Sequence, residues 1–134
     1  MSSVAEFMQS VNDAEEAYEF MIAYAGQGIG REIPMKDVKE IRGYLEQLRD
    51  ALLDALAAAR TIPEEFDLLG EEPYHRVLDE MAEECDQAVD ILELLIAQDR
   101  ITSQQVDNLN GMSVFQSVVM KLFFLEEVTA HLDH

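Results

Sequence analysis

Glu72 and His75 stand in the Glu-x-x-His spacing with which carboxylate di-iron bundles grip metal from one helix. Such a centre needs two of these motifs and two further glutamates, all projecting into a core. This chain has one motif, at the point where a helix should begin. If four rods run antiparallel, His131 and His134 arrive at the same end, with Glu127 close by. Frayed surface histidines are the plainer account of that gathering. The alternative is a metal site of Glu72, His75, His131 and His134, suited to zinc or nickel, or a pH-sensitive end. Glu126 also projects toward the core in this phasing, but alone.

Other spacings with chemical meaning fall short. Glu80-x-x-Glu83 and Glu83-x-x-Asp86 have the form of the acid pairs that hold magnesium in all-helical pyrophosphatases, which need them on separate helices. Here they overlap on one, so no such resemblance follows. Gly26-Gln-Gly-Ile-Gly-Arg31 alternates glycines, yet lacks the Rossmann spacing, a preceding strand and a following Gly-Lys-Ser/Thr. It reads as a loop between helices. Cys85 sits in the middle of an apolar stripe with no base or cation beside it, as a buried structural thiol does. A single cysteine excludes an internal disulfide and a cysteine zinc cage. No catalytic residue and no cofactor is expected.

The carboxylates carry a different message as a group. Thirteen acids and one base, Arg76, lie between Glu64 and Asp99. Asp79, Glu83, Asp86 and Asp90 follow three- and four-residue steps and form a ridge on one helix. Like charges so spaced repel by a few tenths of a kcal/mol per pair. A solvated face tolerates that cost, and a docking surface for a basic partner would use it to speed association. The formal net charge of −19 argues against nucleic acid, whose phosphates need clustered Lys and Arg, and against anionic membrane surfaces. The N-terminus shows no basic region followed by an apolar run, so no signal peptide is visible and the cytoplasm is the default.

Helices must position these groups. Val4, Phe7, Val11, Ala14, Tyr18, Met21 and Ala25 mark one face of a first helix, with Ser3 and Glu6 spaced as a capping box and Gly26 as a left-handed C-cap. Pro34 suits the first turn of a second helix over about 35–59, whose seam is Val38, Ile41, Leu45, Leu48, Leu52, Leu56 and Ala59. Residues 61–73 read as the longest break, with one helical turn opened by Thr61, Pro63 and Glu64 and closed by Gly70. Phe66, Leu68 and Leu69 would plug the end there. A third helix over about 73–98 turns Tyr74, Leu78, Met81, Cys85, Ala88, Leu92 and Leu95 inward. Thr102 and Gln105 form a second capping box for a fourth helix, which should kink or break near Asn108–Gly111 because glycine weakens a helix interior. Its main segment, Met112–Leu125, has ten large apolar residues of fourteen and one charge, Lys121. It is too short and too interrupted to span a bilayer, and reads as the central helix. The fold expected is all-α: an antiparallel up-down-up-down four-helix bundle, one domain over 1–134.

That apolar segment has more oily surface than three neighbours can hide. With Phe115, Val119 and Leu122 facing inward, Met120, Phe124 and Val128 form a second stripe outside. Phe20 and Tyr24 do the same on the first helix, and Leu94 on the third. Such stripes suggest cover by a homodimer or another protein, with an irregular bundle that buries them internally as the alternative. The composition and patterning therefore point to a small acidic, non-enzymatic interaction module: an adaptor, a dedicated chaperone or an immunity-type binder of a basic partner. A metal-binding or metal-dependent helical enzyme is the alternative.

Overall fold

The structure is a computed structural model. It describes residues 1–27 and 35–133, and all of their side chains but those of 27 and 35–39. The described residues form helices and turns, with no strand among them: α1 (Ser3–Gln27), α2 (Met35–Glu65), α3 (Glu71–Ile96), α4 (Ser103–Asn110) and α5 (Ser113–Thr129), then a 3-10 turn at Ala130–Asp133. The expected break near Asn108–Gly111 is complete, so five helices stand where four were expected. Gly111 keeps near-helical angles (φ −82°, ψ −8°), and Met112 swings to ψ 131°. The chain thus leaves the helix one residue after the glycine. The remainder of the glycine-rich loop, residues 28–34 with Pro34, lies outside the described residues.

Helix ends depart from expectation in instructive ways. Ser2, not Ser3, caps α1: its hydroxyl accepts from the Ala5 N–H at 3.1 Å. Ser3 is freed to donate its N–H and its hydroxyl to Glu65, at 2.9 and 2.7 Å. Gly26 lies inside α1, and the one positive φ among the described residues is at Gly70 (76°). The expected break at residues 61–73 is much shorter, because α2 runs on through Pro63 to Glu65. Gly70 does not close a turn but precedes α3, which begins two residues before Pro73. Phe66 and Leu68 pack on the core as expected, but Leu69 is almost fully exposed. The capping box of Thr102 and Gln105 is present in both directions, with bonds of 3.1 and 2.8 Å.

A single cluster of buried apolar residues draws on all five helices, with Phe7, Met21, Leu48, Met81 and Phe115 among its largest sealed members. Burying each such side chain contributes about 1.5–3 kcal/mol. All seven residues of the expected α3 stripe are buried. α1 packs on α2, α4 and α5; α2 on α3; and α3 on α5. The central helix is therefore α1 rather than Met112–Leu125. Its buried arc is wide enough to include Ser10, Ala17 and Tyr24.

Candidate functional site

Gly70 and two acids launch α3. The glycine takes the left-handed conformation before the helix, and Glu71 and Glu72 occupy the first turn, where the helix dipole favours negative charge. With Leu78, Met81, Cys85 and Ala88 held inward, the acids of α3 are left on two flanks. Glu80 and Glu84 face α5, where Lys121 reaches them at 3.6 and 2.6 Å. The Glu84 hydrogen bond is the first cause that raises the lysine's proton affinity. Asp79, Glu83, Asp86 and Asp90 lie about 110° further round the helix at about 100° per residue. All four are exposed, and none enters an ion pair or hydrogen bond among the described residues. Asp86 and Glu84 do act on Cys85, whose buried thiol is pushed up to about 11, first by desolvation and then by these carboxylates. A thiol so placed stays protonated at neutral pH and is a poor nucleophile.

The outer apolar stripes divide. Met120 and Phe124 stand open to solvent, at 64% and 59% exposure, and Val128 is half-buried beside them. Phe115, Val119 and Leu122 are buried on the opposite side, as expected. On α1 the expectation fails. Tyr24 is buried in the core and its hydroxyl donates to the Ile101 carbonyl at 2.7 Å. Phe20 is half-buried, with its ring 4.1 Å from Tyr44 of α2 in a stacked pair. Both rings belong to the packing around α1, Tyr24 inside the core and Phe20 at its edge.

Leu94 is open, at 67% exposure, as its phasing predicts. The break between α4 and α5 gives it a neighbourhood that the sequence did not reveal. An open groove of about 340 Å³ runs there, with Ile91, Leu94 and Leu95 of α3 on one side and Leu109 and Met112 on the other. Gln98, Gln105 and Asn108 add polar edges. The groove lies between α4 and the last turns of α3, with the extended Met112 at its edge. The glycine at 111 was the only sequence signal for it. Leu94 is one turn after Asp90, so the acidic ridge and the groove meet at that leucine.

Among the described residues the histidine end does not assemble into a cage. His75 lies 3.6 Å from Glu71, one turn before it, with both side chains more than half exposed. Glu72 and His131 are exposed, and His134 lies outside the described residues. Among the described residues no three His, Cys, Asp or Glu side chains converge on a point where an ion would sit. Glu126 is half-buried, and its proton affinity is raised by desolvation, then by Glu15 and Glu127. No described helix is long and apolar enough to cross a membrane. The chain matches no protein-family model, no curated protein and no solved structure with which it was compared.

Proposed function

We propose that the chain is a non-enzymatic protein–protein interaction module of the cytoplasm, a single domain that binds a basic amphipathic helix of a partner protein. Its architecture is read as a four-rod antiparallel bundle whose fourth rod is split into α4 and α5. Hydrogen bonds support this: Tyr24 joins the end of α1 to Ile101, and Tyr74 at the start of α3 reaches Ala59 near the end of α2.

The observation that carries the reading is Leu94, two-thirds exposed where an apolar groove meets an unpaired acidic ridge. A partner helix with leucines on one side and lysines or arginines on the other fits both features. Its apolar side chains enter the groove of Ile91, Leu94, Leu109 and Met112. Its cations lie along Asp90, Asp86, Glu83 and Asp79. Recognition of an apolar helix face in a groove is a general mode of peptide binding, and the ridge adds on-rate and sign selectivity.

A synthetic helix of leucine and lysine, titrated by calorimetry, tests this. Binding is expected to weaken about tenfold, or about 1.4 kcal/mol, when Leu94 is changed to Glu. Added salt and the variant Asp79→Asn, Glu83→Gln, Asp86→Asn, Asp90→Asn should weaken it comparably. Equal binding by the wild type and both variants overturns the reading.

A further inference from the structure

We infer that the outer face of α5 docks a second copy of this chain, in antiparallel register about a two-fold axis between Val118 and Val119. This rests on the reading of the chain as an interaction module, and adds to it a second face with a different occupant.

Charge selects the occupant. Two copies at −19 each repel wherever their acids meet. α1 shows Glu6, Glu15, Glu16 and Glu19 to solvent, α2 shows Glu40, Asp50 and Asp54, and α3 shows its ridge. The outer face of α5 has Ser113, Gln116, Ser117, Met120 and Phe124, with no acid before Glu127 near its end. The one cation of the segment, Lys121, is already held by Glu84 and Glu80. A basic partner finds nothing there to pair with. A like-charged copy finds the approach with the least repulsion.

Shape selects the register. Ser113, Ser117, Met120 and Phe124 fall within about 60° of one another on the helix, opposite the buried line of Phe115, Val118 and Leu122. Two are small and two are large. A two-fold axis between Val118 and Val119 places Phe124 of one copy over Ser113 of the other, and Met120 over Ser117. Each large side chain then meets a small one, which is how facing helices interdigitate, and the contact is self-complementary as a two-fold interface requires. The two Glu127 carboxylates end about 25 Å apart along the axis at 1.5 Å per residue, beyond the screening length of about 8 Å at physiological salt.

One helix pair is smaller than the 1,200–2,000 Å² of a standard interface, so the expected dissociation constant is on the order of micromolar. Sedimentation of the full chain from about 1 to about 100 µM brackets that value. The expected result is a monomer–dimer equilibrium that tightens as salt screens the repulsion. Phe124→Glu should weaken it at least tenfold with an unchanged helical spectrum, while Leu94→Glu leaves it intact. Chains carrying Ser117→Cys, mixed under oxidation with chains carrying Met120→Cys, should cross-link to each other in preference to themselves. A monomer at the highest concentration, or a dimer indifferent to Phe124→Glu, overturns the inference. So does self-linkage as fast as cross-linkage. The two faces separate cleanly: a monomer that still binds the leucine-lysine helix sinks only the dimer, and a dimer that ignores that helix sinks only the partner-binding reading.

Discussion

Pro63 has no N–H to offer the carbonyl of Ala59, four residues back, and the Tyr74 hydroxyl supplies the missing donor at 2.6 Å. A proline near the end of a helix is usually a stop signal because it leaves such a carbonyl unpaired and crowds it. Here a side chain from the next helix fills the gap, and α2 continues to Glu65. The phenol is buried, which pushes its proton affinity up to about 12 and keeps it a donor at every physiological pH. Tyr74→Phe should therefore cost about 1–3 kcal/mol, the range for stranding a buried polar group. Pro63→Ala restores an N–H to the same carbonyl, so Tyr74→Phe should cost measurably less in that background. Chemical denaturation of the four chains in this cycle reads the coupling directly, and strict additivity would show that the two groups do not share the carbonyl.

α2 fastens both of its neighbours through its ends. At its C-terminus, Glu65 accepts from the N–H and hydroxyl of Ser3 and so places a carboxylate at the first turn of α1. Near its N-terminus, the Arg42 guanidinium donates to the carbonyls of Ile96 and Gln98, where α3 ends. An anion at a helix start and a cation at a helix end both oppose the macrodipole. Neither α1 nor α3 has a basic residue in its own last turn, so Arg42 gives α3 the cation its own sequence lacks. The Ser3 N–H, then the Ser3 hydroxyl, hold the Glu65 carboxyl below its ordinary value. A folded-state value lowered in this way means stability that is present above the unfolded carboxylate value of about 4.3 and lost as pH falls through the lowered one. Glu65→Gln should thus lower the thermal midpoint at neutral pH. The gap from the wild type should close in acid, below the lowered value. A gap that persists unchanged into acid would assign the loss to something other than the ionised carboxylate.

Across the whole molecule, charge is distributed unevenly around a well-packed interior. The flank of α3 facing α5 has its acids tied to Lys121, while the other flank keeps four acids at helical spacing that enter no ion pair among the described residues. The buried stripe of α3 holds those acids outward, so their repulsion is a standing cost to the fold. At three successive spacings of a few tenths of a kcal/mol each, neutralising the ridge with Asp79→Asn, Glu83→Gln, Asp86→Asn and Asp90→Asn should stabilise the chain by about 1 kcal/mol at low ionic strength. Salt should erase most of that gain, since exposed charges are screened. Thermal melts of both chains across a salt series check it, and a variant no more stable than the wild type at low salt would mean the ridge is already relieved.

Several features were settled by the order of residues alone. The apolar spacing of α3 predicted all seven of its buried side chains, because a helix turns a fixed amount per residue. Thr102 and Gln105 specified their capping box, and glycine at 111 marked the break, because each acts within one turn of chain. The exposure of Met120, Phe124 and Leu94 was legible for the same reason. Other features depended on what each element packs against. Phe20 and Tyr24 looked like outward residues until α1 was seen to touch α2, α4 and α5 together, which widens its buried arc beyond one seam. Pro63 read as part of a separate turn beyond a helix ending at Ala59, until α2 ran on through it with Tyr74 from another helix answering the Ala59 carbonyl. The groove beside Leu94 exists only where the last turns of α3 come together with α4 and Met112. Periodicity reports which direction a side chain points from its own axis. Only the assembled helices decide what stands in that direction.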